Sequence, residues 1–300
     1  MWFIGTGQFA AMCLEGLTRR GLTFTRIITG KPTVSGRGKK EHPSPVEVMA
    51  GTLGLTVTRT GKLTENQELI DALEAENPGV IFVIDFGQII REPFLSRMCL
   101  NIHPSFLPEY RGAAPIQRAI LGGHERTGVT VFRIAQEMDA GGILAQSAAD
   151  IAPSDYASDM FPRLAETGCE IACDALKNPG GLTFTPQDDS LATVAPKISK
   201  AEFELKPEDP ALKFVNTVRA LDMSGGAWVM AGRKRVKVWR ACLRNDITGG
   251  TPGNILADGG NPVMICGDFG VELQEVQAEG KRRMTGREWA LGMRGKLCKL

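Results

Sequence analysis

"CLNIHPSFLPEYRGAAPIQRAI", residues 99–120, runs an apolar strand into a proline-stiffened loop and then into a helix. Alternate side chains of a strand share a face, so Asn101 and His103 point together while Leu100 and Ile102 turn the other way. Pro104 has no N–H for a ladder and ends the strand. The polar pair therefore stands at a strand's carboxyl end, where open α/β sheets take their ligands. An amide donor beside an imidazole can polarise a carbonyl and stabilise the oxyanion formed when a nucleophile attacks it. The pair needs a carboxylate to orient the imidazole or collect a proton, and the candidate is Asp139 in "EMDAGGIL" (137–144). Alone, a strand histidine is more often a packed core residue, and Asp before Ala-Gly-Gly is most often a turn former. What shifts the balance is the ordered set of Asn-x-His-Pro-Ser, Leu-Pro and Arg-Gly, with Met-Asp-x-Gly about 36 residues beyond His103.

Upstream of this stretch, apolar runs alternate with helical patterns. "WFIG" (2–5), "FTRIIT" (24–29), "LTVTRT" (55–60) and "VIFVID" (80–85) read as strands, the last apolar enough to be buried on both faces. Between them lie helix-like segments at 8–21, 45–54 and 65–77, with a long polar loop before the second. That alternation implies a mostly parallel, Rossmann-like sheet covered on both sides. Downstream, "GVTVFRI" (128–134) and "ILAQSAADI" (143–151) suggest an antiparallel pair, and a helix over about 156–177 closes the unit. Short strands with glycine-rich turns then fill the tail, the pattern of a small β-barrel. The expected division is a catalytic domain over 1–180, a linker over 181–206 and an OB-like barrel over 207–300.

The whole chain carries a formal charge of +1, but that value hides a division. From Leu205 onward there are 16 Lys/Arg against 10 Asp/Glu, and residues 1–204 carry a net −5. A basic tail on an acidic body points to a polyanion met by one part only. Seven scattered cysteines and three distant histidines lack metal-ligand spacing, so no metal is expected. With no long apolar span and no signal-peptide pattern, the expectation is a cytoplasmic monomer without a membrane partner.

"NIHPSFLPEYRGAAPIQRAI" (101–120) with "TGVTVFRIAQEMDAGGIL" (127–144) resembles the signature of the formyltransferase family that uses 10-formyltetrahydrofolate, with order and spacing kept over more than forty residues. The resemblance implies that Asn101 binds the formyl oxygen and His103 stabilises its developing charge. Asp139 would hold His103 and help deprotonate the attacking amine through water. It further implies a folate pocket lined by Phe86, Ile89 and Ile90 and by Ser105, Phe106, Leu107 and Pro108, with 10-formyltetrahydrofolate as co-substrate.

Three further stretches bear on the acceptor. "GTGQFA" (5–10) resembles the opening of the members that act on initiator methionyl-tRNA. "SGRGKKEHPSPVEVMA" (35–50) resembles their basic inserted loop, offering Arg37, Lys39 and Lys40 to phosphates. "GRKRVKVWR" (232–240) and "EGKRRMTGREW" (279–289) resemble their basic barrel, with Arg233, Lys234, Arg235, Lys281 and Arg282 as tRNA contacts. Taken singly, each stretch reads as an ordinary turn, a solvated loop or a wet barrel face. Together they favour methionyl initiator tRNA, because each phosphate contact adds affinity without reading sequence. The rivals are a nucleotide-sugar or other small-amine formyltransferase, a formyltetrahydrofolate hydrolase, and a non-catalytic RNA-binding protein on the same fold. Departures from the family pattern are a start about two residues late, Asp85-Phe86 for Ala-Tyr, Phe106 for Leu, and "LDMSGGAW" (221–228) at the entry to the barrel.

Overall fold

The computed structural model describes residues 1–35, 40–231, 234–257 and 260–292. The chain divides into two compact units: residues 1–115, 126–150 and 161–195 form one, and residues 116–125, 151–160 and 196–300 the other.

The first unit is built on a seven-stranded sheet. Its strands are β1 (Trp2–Gly5), β2 (Arg26–Gly30), β5 (Thr58–Thr60), β6 (Ile81–Ile84), β7 (Cys99–His103), β9 (Arg126–Arg133) and β10 (Ile143–Asp150). They lie in the order β10-β9-β7-β6-β1-β2-β5. The five strands from β7 to β5 run parallel, while β9 is antiparallel to both β7 and β10. The sheet is therefore mostly parallel with an antiparallel edge, as the sequence pattern implies.

Alternation decides which residues each face buries. Trp2, Ile4, Ile81, Val83 and Cys99 turn to one face, and there join Leu69 and Leu73 of helix α3 (Gln67–Glu76) in a single core cluster. Asn101 and His103 continue the Cys99 side of β7. Ile102 points to the other face, where the missing side chain of Gly168 in helix α5 (Ala157–Leu176) leaves room for it. Helix α1 (Gln8–Arg19) packs there too, its Gly16 facing Cys169. Helix α2 (Pro45–Thr52) starts cleanly because Ser44 Oγ accepts the Glu47 N–H at 3.0 Å and Pro45 takes the first turn.

Several elements leave no clear pattern in the sequence. The long polar loop holds a hairpin of β3 (Thr33–Ser35) and β4 (Lys40–His42). The expected strand over 55–60 shrinks to β5, because the Leu55 N–H still closes onto Ala50 O of α2 at 2.8 Å. Within the stretch expected as linker, β11 (Val194–Ala195) pairs in parallel with β8 (Arg111–Gly112), just beyond the signature loop.

The second unit carries an antiparallel, curled sheet of barrel type. Its strands are β12 (Ala227–Ala231), β13 (Lys234–Thr248), β14 (Ile255–Leu256), β15 (Val263–Ile265), β16 (Phe269–Ala278) and β17 (Met284–Thr285). They order as β12-β13-β16-β15-β14, with β17 on β16. Register shifts along β13 at Val238, Arg240 and Arg244 bend a 15-residue strand, as bulges do.

Helix α4 (Pro115–Leu121) begins at the edge of the signature loop, and helix α6 (Ala211–Leu221) precedes the barrel. The spacing of Phe214, Val218 and Leu221 gives α6 one apolar face, and Asp268 Oδ1 caps its first N–H at 2.8 Å. The altered junction "LDMSGGAW" turns through Gly225 and Gly226 at φ +105° and +81°. Gly226 lies under the Trp239 ring, where a Cβ would be 2.9 Å from it. Helix α7 (Gly286–Gly292) follows β17.

Candidate active site

His103 closes β7 and is 5% exposed. Its Nε2 lies 2.9 Å from the Tyr110 carbonyl oxygen. A carbonyl only accepts, so Nε2 carries a proton and donates. Nδ1 then faces Asp139 Oδ2 at 3.8 Å. A neutral imidazole in this tautomer presents a lone pair to that carboxylate, whereas an imidazolium presents an N–H. Asn101 stands two residues back on the same face, half-buried, and its amide has no hydrogen-bond partner among the described residues. An amide kept free beside a histidine is available for a ligand's oxygen.

Asp139 is placed by a turn that few residues could make. It has φ +52°, and its Oδ2 accepts the Gly112 N–H at 2.8 Å. Two residues on, a side chain at Gly141 would overlap the Arg133 carbonyl, so glycine is needed for the chain to fold back against β9. Sequence reasoning missed the residue that locks this turn. Gln187 Nε2 donates to the carbonyls of Asp139 and Gly141, each at 2.8 Å. Its Oε1 accepts from Arg111 Nε at 3.0 Å and Nη2 at 2.8 Å. Thr193 Oγ1 accepts the Tyr110 N–H at 2.8 Å and so sets the carbonyl that receives His103. Neither residue has a local motif; the pairing of β11 with β8 and the bridge between Ile143 and Thr185 bring the segment here.

The loop after β7 is held from the other side by Thr130, which faces His103 across the ladder. Thr130 Oγ1 accepts the Leu107 N–H at 3.0 Å and donates to Ser105 O at 2.8 Å, while Gln146 Nε2 donates to it at 2.9 Å and to Leu107 O at 2.7 Å. Ser105 Oγ donates to Glu109 O at 2.6 Å, and Pro108 O accepts the Thr193 N–H at 3.3 Å. Leu107 is buried and Phe106 exposed. Phe86 and Ile90 are buried in the core cluster on the His103 face of the sheet, and Ile89 is exposed.

The basic residues divide sharply. Arg37, Lys39 and Arg233 lie outside the described residues, and Lys40 opens β4. Lys234 and Arg235 begin β13, and Lys281 and Arg282 follow β16; all four are exposed. The antiparallel pairing of Val236 with Ala278, and the bond from the Glu279 N–H to Arg235 O at 3.0 Å, bring both clusters to one end of the sheet. The sequence reading did not include the stacks beside them, in which the Arg235 guanidinium lies 4.1 Å from the Trp228 ring centre and Arg283 lies 3.3 Å from that of Trp239. Among the described residues there is no metal-binding cluster of three or more His, Cys, Asp or Glu, and no helix long and apolar enough to cross a membrane.

Residues 1–176 match the family model described as formyl transferase, and residues 197–294 match formyl transferase, C-terminal domain. The chain belongs to the formyl transferase family. This formyl transferase is 36% identical over 295 residues to the methionyl-tRNA formyltransferase of Jannaschia sp. (strain CCS1), with 97% of this chain and 96% of that one covered. Its fold is similar to a sugar 3N-formyl transferase solved in the presence of dTDP and 5-N-formyl-THF (TM-score 0.65, 17% identity, 94% and 98% covered). A second structural relative is the methionyl-tRNA formyltransferase from Clostridium thermocellum (TM-score 0.57, 18% identity, 81% and 93% covered).

Proposed function

We propose that this enzyme moves the formyl group of 10-formyltetrahydrofolate to the α-amino group of methionyl initiator tRNA, for translation initiation. The observation that carries the chemistry is the end of β7, where a free Asn101 amide stands beside a buried His103 whose Nδ1 faces Asp139 at 3.8 Å. The 36% identity to a methionyl-tRNA formyltransferase over nearly the full length of both chains, together with the basic barrel face, supports the acceptor.

In this reading the formyl oxygen lies against the Asn101 amide, and the His103 ring turns an N–H from the Tyr110 carbonyl to reach it, with Nδ1 still facing Asp139. The amine nitrogen attacks the formyl carbon, and negative charge grows on the oxygen, where both groups stabilise it. Asp139 balances the imidazolium and, through water, takes the proton that the amine loses. The bond from formyl carbon to folate nitrogen breaks, and that nitrogen leaves with the proton that Asp139 took from the amine. No step calls for a metal. Phe86, Ile89, Ile90 and residues 105–108 would receive the folate, since their loops leave adjacent parallel strands at the same edge. The proposed division of labour is catalysis over 1–180, a linker over 181–206 and tRNA binding over 207–300. Arg37, Lys39, Lys40, Arg233, Lys234, Arg235, Lys281 and Arg282 would meet phosphates.

The test is incubation with 10-formyltetrahydrofolate and charged initiator tRNA, scoring N-formylmethionine. Transfer to a sugar amine or to water, with methionyl-tRNA left unformylated, would overturn the reading.

A further inference from the structure

The loop that follows β6 carries Phe86, Ile89 and Ile90, yet few bonds hold its backbone. Asp85, which is exposed, turns the chain at φ +44°, and Gly87 turns it again at φ +75°. The Asp85 carbonyl accepts the N–H groups of Thr6 at 3.1 Å and Gly7 at 3.0 Å. Beyond it, among the described residues, no backbone-to-backbone hydrogen bond involves residues 86–90. Phe86 and Ile90 fasten the loop by burial in the core cluster, while Ile89 is 60% exposed. The polar tie is Gln88. Its half-buried side chain reaches the turn after β5, where Oε1 accepts the Leu63 N–H at 3.1 Å and Nε2 donates to Gly61 O at 2.6 Å. Leu63 is buried in the same core cluster, so the amide is anchored on a fixed point. One partner is a donor and the other an acceptor, which sets the way the amide faces.

The location matters for the formyl donor. Strands β6 and β7 run parallel and pair Ile81 with Cys99 and Phe82 with Leu100, whereas β9 on the other side of β7 is antiparallel. Adjacent strands lie about 4.8 Å apart, so the loop after β6 opens beside the end of β7, where Asn101 and His103 stand. A donor with its formyl group at those two residues has its ring system against this loop. The exposed apolar side chain that the loop offers is Ile89.

We infer that Gln88 is a positioning residue for the folate: it touches no reacting atom, but its two bonds hold loop 85–90 in the form that receives the co-substrate, so folate affinity depends on it. This rests on the folate pocket proposed above. A folate that meets a loop already in place loses little entropy in ordering it, whereas a loose loop subtracts that entropy from the binding. The rate at saturation should not follow, because His103 and Asp139 are held by other bonds, to Tyr110 O and from the Gly112 N–H.

The test separates folate affinity from turnover. Tetrahydrofolate is titrated calorimetrically into wild type, Gln88→Met and Ile89→Ala, with melting curves for all three. Steady-state rates give kcat and the KM for each substrate. Methionine keeps the length of the glutamine side chain and loses both bonds, so a side chain that only fills space would tolerate it. Gln88→Met should bind tetrahydrofolate about tenfold more weakly and raise the KM for 10-formyltetrahydrofolate to match. Its kcat and its KM for methionyl-tRNA should stay at the wild-type values. Folded Gln88→Met that binds tetrahydrofolate like wild type, or that loses kcat with binding unchanged, overturns the inference. If Gln88→Met does not fold, Gln88→Glu decides: it keeps the bond from the Leu63 N–H, sets a second acceptor against Gly61 O, and overturns the inference if tetrahydrofolate binding is unchanged. Ile89→Ala tests the pocket itself. Wild-type binding there would remove Ile89 from the proposed pocket, while weakened Gln88→Met beside it would still support the inference.

Discussion

In the proposed mechanism His103 and Asn101 act on charge that exists only while the formyl carbon is attacked. His103→Ala and Asn101→Ala should each lower kcat by roughly 10²–10³ while tRNA binding changes little. Near-normal turnover in both would remove the site assignment. Asp139→Asn keeps the bond from the Gly112 N–H and the shape of the turn, but loses the charge facing Nδ1 at 3.8 Å. A large fall in kcat with folate affinity nearly retained is expected; a variant that melts early while its folded fraction stays fully active would make Asp139 a turn former only. Asp85 gives a stability signal of its own. Its carboxyl is raised by desolvation from 3.8 to about 6 in the fold, so the unfolded chain gives up this proton first. Ionising it therefore costs stability: the penalty is absent below about 3.8, grows toward pH 6 and is full above. Solvent at the open side keeps it small. Melting temperatures at pH 4.5 and 7.5 should shift in favour of Asp85→Asn at the higher pH, and an equal difference at both would contradict the desolvated carboxylate.

The elements that carry the site differ in how much of them local sequence reveals. Strand β7, its proline and the Asp-Ala-Gly-Gly turn were legible because each depends on neighbours within a few residues: alternation, a missing N–H, a position only glycine tolerates. Their joining was not. Asp139 reaches His103 through Gln187, and Tyr110 presents its carbonyl through Thr193, both from a stretch that reads as polar and proline-rich. Pairing of β11 with β8 is a long-range event, and two residues leave no periodic trace. Helix α6 escaped notice although Phe214, Val218 and Leu221 have helical spacing, because its cap comes from Asp268 rather than from the residue before it. Gln187→Ala tests the missed element. It leaves two carbonyls and part of Arg111 without partners, which should cost about 1–3 kcal/mol in stability. Because the freed turn carries Asp139, kcat should fall more than this loss of folded protein explains. A destabilised variant with unchanged kcat per folded molecule would confine Gln187 to structure.

Across the whole molecule charge divides, with a net −5 over residues 1–204 and +6 from Leu205 onward, and in the proposed reading the basic part meets the tRNA. Exposed Lys234, Arg235, Lys281 and Arg282 gather at one end of the barrel sheet. Replacing all four with Ala should flatten the slope of log K for tRNA against log salt by roughly 0.7–0.9 for each phosphate no longer neutralised. Folate binding should stay intact, and an unchanged slope would mean the cluster faces only water. The same treatment of Arg37, Lys39 and Lys40 separates the inserted loop's share. All of these effects presuppose that one protein joins folate chemistry to a tRNA-borne amine. A single-turnover reaction tests that directly: wild type and His103→Ala are each mixed with 10-formyltetrahydrofolate and an equimolar mixture of methionyl initiator tRNA and a free amino sugar. Wild type should place the formyl group on methionine alone, and His103→Ala should slow that transfer by at least about a hundredfold. Formylated sugar, or equal rates from the two proteins, would contradict the account.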